Sequence, residues 1–161
     1  MKTKKLATLA VVIATAMILS FVESRIPALV AIPGVKIGLA NIAVIFTLYK
    51  LGAREAVTVS LIRVVLVSLL FGSLVSMLYG ICGAALSLAV MLLLKTLTPL
   101  RTVTVSVVGG VMHNVGQITV ACILMETNVI VYYLPFLLLS GIIAGIAVGV
   151  AASLLINRIK M

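Results

Sequence analysis

The run Val131–Ile156, VYYLPFLLLSGIIAGIAVGVAASLLI, carries no charged side chain along 26 residues. About 20 predominantly apolar residues in a helix are enough to cross the hydrocarbon core of a bilayer. Five shorter apolar runs precede it, and their unbroken apolarity favours helices over the alternating strands of a membrane barrel. The expected spans are Leu6–Val22, Val35–Tyr49, Ala56–Phe71, Leu74–Leu94, Thr102–Leu124 and Val131–Ile156. The sequence therefore predicts an all-α, polytopic six-helix transmembrane bundle, with residues 1–161 forming a single domain.

The composition excludes an ordinary soluble domain. Of the 161 residues, 64% are apolar and 9% are charged, whereas soluble domains are about half apolar and a quarter charged. Cys82 and Cys122 both lie within apolar runs, so we interpret them as small buried hydrophobes and not as a disulfide framework. The polar stretches between the runs are too short to build a second core.

The net charge of +9 is best explained by membrane topology. The basic residues occur in ones and twos between apolar runs, without the stripe and stacking aromatics of a nucleic-acid interface. Six spans would place most of them on one side: Lys2, Lys4, Lys5, Lys50, Arg54, Lys95, Arg101, Arg158 and Lys160. The positive-inside rule then predicts that both termini are cytoplasmic.

Polar residues inside the predicted spans are the candidate functional residues. Arg63 lies near the middle of the third span, where an arginine costs about 2.5–3.5 kcal/mol on insertion scales. It therefore needs either a structural counter-charge or a water-filled cavity that binds a ligand. In the fifth span His113 and Gln117 share one helix face and Asn114 flanks them. These three residues either join helices or line a polar cavity. A single histidine does not make a metal site, and none is expected.

The predicted topology brings these residues to similar depths. His113, Asn114 and Gln117 would lie about 17–22 Å along their helix, in the outer half of the membrane. Asn41 would lie in the same half, with Lys36 at the entry of its span and Glu23 at the end of span one. We therefore expect a cavity that opens outward and binds a small anionic ligand. Its predicted ligand-binding residues are Arg63, His113, Asn114, Gln117, Lys36 and Asn41.

Two sets of small residues have the four-residue spacing that exposes one helix face. Gly141, Gly145 and Gly149 lie in the last span, where we expect them to pack the bundle internally. Ala10 and Ala14 lie in the first span. Their face could pack internally or could dock a helix of an external partner, and the sequence leaves both possibilities open.

Three motifs resemble those of one bacterial membrane family. They are the stretch Pro33–Ile42, PGVKIGLANI, the element His113-Asn114-x-Gly116-Gln117, and the entry to the last span from Leu134 to Gly141. Together with Arg63 they resemble the Gx transporter family, which also carries the name heptaprenyl diphosphate synthase component I. That family is similar to the S-components of energy-coupling-factor transporters. The resemblance implies a six-helix bundle with an outward ligand site, in which Ala10 and Ala14 would dock a transmembrane T-like component.

The two family names imply different functions. A transporter would bind its ligand in the bacterial cytoplasmic membrane and would obtain energy from separate ATPases, because the chain has no Walker-type phosphate loop. The alternative is an accessory subunit that binds a prenyl diphosphate or recruits a soluble prenyltransferase. The chain contains no aspartate, and its three glutamates are far apart in sequence. It therefore lacks the paired carboxylates that hold magnesium for prenyl transfer. We expect no catalytic residue and no cofactor, and a bare membrane adaptor without a cavity is the third possibility.

Overall fold

The computed structural model describes residues 2–25 and 38–159 of the chain. This part is helical throughout, as the sequence predicted, with a short 3₁₀ helix, Val129–Tyr133, before the last α-helix. The α-helices are α1 Lys2–Arg25, α2 Asn41–Lys50, α3 Ala53–Phe71, α4 Leu74–Leu97, α5 Thr102–Met125 and α6 Leu134–Arg158.

Five of the helices follow the predicted spans to within a few residues, and the second differs. Helix α2 begins at Asn41 and not at Val35, because Leu39 and Ala40 form a turn and Gly38 has a φ of +76°. That left-handed conformation suits glycine and interrupts a right-handed helix. The predicted start of the second span was therefore wrong for residues 38–40, while residues 35–37 lie outside the described part.

Four helical segments of the described chain are long and apolar enough to cross a membrane: α1, α4, α5 and the stretch Val129–Arg158. This agrees with a multi-pass membrane protein. Helix α3 has 19 residues but carries Arg54, Glu55 and Arg63. Helix α2 has 10 residues, which is about 15 Å and half the thickness of the hydrocarbon core.

Helix α2 lies at the centre of the molecule. Its residues Ala43–Leu48 are all buried, so every face of the helix contacts protein. A helix that is apolar all round is stable only when other elements surround it. The core cluster around α2 includes Val12 and Ala16 of α1, Val59 of α3, and other residues from α4, α5 and α6. Because protein shields it, α2 need not match the length of a bilayer.

Helix α5 packs closely, through glycines, against its antiparallel neighbours α4 and α6. A Cβ added at Gly145 would lie 2.6 Å from Cα of Val107, and one at Gly149 would lie 2.8 Å from Cα of Val103. A Cβ at Gly141 would lie 3.0 Å from the carbonyl oxygen of Gly110. The structure thus places the three glycines of the last helix against α5, where missing side chains let the two backbones approach.

Buried hydroxyl groups reinforce the same helix pairs. Ser87 Oγ of α4 donates to the carbonyl oxygen of Gly109 at 2.7 Å, and Ser106 Oγ of α5 donates to that of Gly145 at 2.7 Å. Hydrogen bonds of this kind between membrane helices contribute about 0.6 kcal/mol on average.

Contacts at the helix ends show how the chain alternates between the two ends of the bundle. Lys5 forms an ion pair with Glu55, which joins the first turns of α1 and α3. Lys95 donates to the carbonyl oxygen of Leu48 at 2.5 Å, which joins the last turns of α4 and α2. These ends carry most of the basic residues, in agreement with the alternation from which the topology was predicted.

The alanine face of α1 points away from the bundle. Ala10 and Ala14 are both exposed, while Val12 and Ala16 of the same helix are buried. Exposed alanines with the same spacing also occur on α4, at Ala85 and Ala89. Within the described residues, Ala10 and Ala14 are therefore left facing lipid or a partner.

The glycine packing leads to a stability prediction. Gly145→Ala should lower the melting temperature of the purified protein in detergent, because the new Cβ would meet the backbone of α5. Overpacking of this kind costs about 1–3 kcal/mol. Gly109→Ala is the matched control: its Cβ would meet the side chain of Met91, which is flexible and borders a cavity. An equal loss of stability in both variants would contradict the role assigned to backbone contact.

Candidate functional site

A cavity of about 80 Å³ lies inside the bundle and is lined by residues of all six α-helices. Its polar lining side chains are Glu23, Asn41, Arg63, Ser87, Ser106, His113, Asn114 and Gln117. Pockets for whole drug-sized ligands have volumes of about 300–1,000 Å³. The cavity of this structure therefore has room for a few water molecules or one polar head group.

Five of the six residues predicted to bind a ligand line this cavity. Asn41 comes from α2, Arg63 from α3, and His113, Asn114 and Gln117 from α5. The sixth, Lys36, lies outside the described residues. His113 and Gln117 reach the same space because helical periodicity places them on one face, and Asn114 lies beside His113 at the edge of that face.

Arg63 is the cation of the described lining. Its Nε is buried and has no hydrogen-bond partner among the described residues. The carboxylate of Glu23, at the end of α1, acts on it as an opposite charge. Lys36, the second cation of the predicted site, lies outside the described residues. Within the described lining, Arg63 is accompanied by one carboxylate, that of Glu23.

The two amide side chains of α5 differ in their surroundings. Asn114 Nδ2 donates to the carbonyl oxygen of Leu137 at 2.6 Å and contacts Ser140 Oγ at 3.4 Å, so it joins α5 to the first turns of α6. Gln117 Oε1 is buried and has no hydrogen-bond partner within the described chain. Asn114 thus supports the helix contact, and Gln117 presents an unused polar atom.

Helix α2 begins at the cavity. Gly38 and Asn41 both line it, and the turn between them is closed by a hydrogen bond from the N–H of Asn41 to the carbonyl oxygen of Gly38 at 2.8 Å. A helix N-terminus carries a partial positive charge equivalent to about half an elementary charge. The start of α2 therefore adds positive potential to the space that Arg63 borders.

Some lining residues could not be singled out from the sequence. Ser87 and Ser106 line the cavity, yet each hydroxyl also bonds the carbonyl of a neighbouring helix. A lone serine in an apolar run has the same appearance whether it packs helices or borders a cavity. Glu23 was expected near the site only from its position at the outer end of span one.

Comparison with known families identifies this chain. The family model of heptaprenyl diphosphate synthase component I matches residues 12–155. The chain belongs to this family. The resemblance inferred from the motifs is thereby confirmed for the component I name. Comparisons with curated proteins and with solved structures gave no significant match.

Component I of heptaprenyl diphosphate synthase is, by its name, one subunit of an enzyme complex. The match covers the stretch from the middle of α1 to the last turns of α6, so it includes the whole described cavity lining.

The two amides should respond differently to the same substitution. Asn114→Leu should lower the melting temperature in detergent, because it removes a hydrogen bond between helices worth about 0.5–2 kcal/mol. Gln117→Leu should leave the melting temperature unchanged or raise it, because it removes an unpaired buried acceptor. If Gln117→Leu is the more damaging of the two, the assignment of Asn114 as the structural amide is wrong.

Proposed function

We propose that this component I protein is a non-catalytic, membrane-embedded subunit that binds the anionic group of a ligand in the Arg63 cavity. The proposal rests on the buried Nε of Arg63, a cavity-lining residue, which has no hydrogen-bond partner in residues 2–25 and 38–159 of a chain that belongs to this family. A mid-membrane arginine is costly unless it is compensated, and a bound anion would add a direct partner to the attraction that Glu23 already exerts on Arg63.

The catalytic step of prenyl transfer belongs to a different chain. Trans-prenyl transfer needs carboxylates that hold magnesium against a diphosphate. Of the three glutamates, Glu23 lies at the C-terminal end of α1, Glu55 in the first turn of α3, and Glu126 just after α5. Each glutamate comes from a different helix end, and the described residues contain no group of three or more histidine, cysteine or carboxylate side chains that could hold a metal ion. A soluble prenyltransferase is therefore the proposed partner, and the membrane chain positions a ligand for it.

The proposed ligand site uses the residues that the cavity brings together. Arg63 pairs with an anionic group such as a phosphate. His113 and Gln117 hydrogen-bond its polar edges, while Asn114 holds α6 in place. Asn41 lies at the mouth, and Lys36, outside the described residues, is the second cation that the sequence assigns to it. The family name makes a prenyl diphosphate the first ligand to test.

The same proposal includes the orientation in the membrane. Six helices lie in the bacterial cytoplasmic membrane with both termini cytoplasmic, as the basic helix ends suggest. Helix α2 and the charged helix α3 complete the bundle from inside, and the cavity opens toward the outer side.

A second candidate function is ligand binding for transport, in the manner of an S-component. The exposed pair Ala10 and Ala14 favours it, because a flat small-residue face lets a partner helix approach closely. The partner would then be a transmembrane T-like component with its ATPases.

The ligand site is tested by Arg63→Met, which keeps the side-chain volume and removes the charge. Binding of farnesyl diphosphate to the purified full chain should weaken by more than about tenfold, or about 1.4 kcal/mol. Lys95→Met is the matched control, because it removes a part-buried cation from the opposite end of the bundle. Affinity and melting temperature are measured on the same preparation. Unchanged affinity in a well-folded Arg63→Met protein would show that the proposed ligand site is wrong.

The partner is tested by purifying the tagged full chain from its native membrane and identifying the proteins that accompany it in stoichiometric amounts. We expect a soluble prenyltransferase subunit, whereas a T-like component with ATPases would establish the second candidate. If the partner docks on α1, Ala10→Leu with Ala14→Leu should abolish co-purification while the protein still folds. As the control, Ala85→Leu with Ala89→Leu introduces the same bulk on the exposed face of α4. This variant should still co-purify with the partner.

A further inference from the structure

Glu23 is the acidic side chain of the described cavity lining. Its Oε1 accepts a hydrogen bond from the backbone N–H of Gly38 at 2.5 Å, at the turn that leads into α2. Its charge also attracts the guanidinium of Arg63. Among residues 2–25 and 38–159, Lys5 and Glu55 form the one ion pair with a nitrogen–oxygen distance below 4.0 Å. Glu23 and Arg63 are therefore farther apart than this. They attract each other across a gap and do not form a closed ion pair.

This arrangement sets a condition on any anion that enters the cavity. The space measures about 80 Å³, so an anionic group placed beside Arg63 is also close to the carboxylate of Glu23. Like charges a few ångströms apart repel strongly at the low effective dielectric of a protein interior. The Glu23 carboxylate, which attracts Arg63, thus repels an anion that binds at Arg63.

We propose that Glu23 is the resident counter-ion of Arg63 and competes with the bound anion, so that Glu23 sets the affinity of the site. This inference rests on the proposed function, because it needs an anion at Arg63. It assigns Glu23 a role opposite to that of a ligand-binding residue. Removing the Glu23 charge strengthens binding, whereas removing the Arg63 charge weakens it.

The substitution Glu23→Gln separates the charge of Glu23 from its hydrogen bond. The glutamine amide oxygen can still accept from the N–H of Gly38, and the side-chain length is the same. Glu126→Gln is the matched control. Glu126 is exposed and follows α5 at the same end of the bundle. Neutralising it changes the net charge by the same amount as Glu23→Gln and alters no residue of the cavity lining.

The experiment measures the affinity of inorganic diphosphate for the full chain in detergent, by calorimetry, for the wild type and the variants. Glu23→Gln should bind diphosphate roughly tenfold more tightly, as expected for removal of one like charge near a buried anion. Glu126→Gln should stay within about twofold of the wild type, because an exposed charge is screened by solvent and salt. Without diphosphate, the Glu23→Gln variant should have a lower melting temperature than the wild type, because Arg63 has lost its counter-charge. Addition of diphosphate should restore the melting temperature.

The outcomes separate this inference from the proposed function. If Arg63→Met abolishes diphosphate binding while Glu23→Gln leaves it unchanged or weaker, the counter-ion role is wrong and the ligand site stands. If Arg63→Met binds diphosphate normally, the ligand site itself is wrong. Should Glu23→Gln fail to fold, Glu23→Ala is the second neutral variant and should show the same tightening. Failure of both to fold would show that Glu23 is only a structural charge and would overturn the inference.

Discussion

Burial of α2 on all sides is the constraint on which the rest of the structure depends. A helix of 10 residues is too short to cross a bilayer by itself, so its ends cannot both lie at the membrane surfaces. One end lies among the basic residues, where Lys95 satisfies the carbonyl oxygen of Leu48. The other end stops inside the bundle. The space beside that end is lined by polar side chains of the surrounding helices, and this is the cavity.

The walls of the cavity differ in how they are held. Helices α4, α5 and α6 approach until backbone meets backbone at Gly116, Gly141 and Gly145, and serine hydroxyls bond across the same contacts. Close packing of this kind leaves little freedom for the α5 face that presents His113 and Gln117. On the opposite side, Arg63 and Glu23 come from α3 and α1 and meet only through electrostatic attraction. The polar face of α5 is therefore held by backbone contacts, whereas Arg63 and Glu23 do not form a closed ion pair.

Membership of the component I family and the composition of the chain both support the proposal that another subunit performs catalysis. The family name implies association with an enzyme, and the chain contains no aspartate. The proposed ligand site uses the polar groups of the described cavity lining, in which Arg63 lies with two amides of α5 and a histidine. Ala10 and Ala14 remain available on the outside of α1 for a protein neighbour.

The sequence by itself determined the helical class, the bounds of five helices and five residues that line the cavity. The length of an apolar run determines whether it can form a membrane-spanning helix. The spacing of polar residues along a helix, together with the alternating direction of successive helices, determines which polar residues lie at the same depth. Only the tertiary structure decided that α2 begins at Asn41, because the φ of Gly38 is set by its surroundings. It also decided that Ser87 and Ser106 border the cavity and that Glu23 faces Arg63. These depend on how helices rotate against one another, and local periodicity carries no information about that rotation.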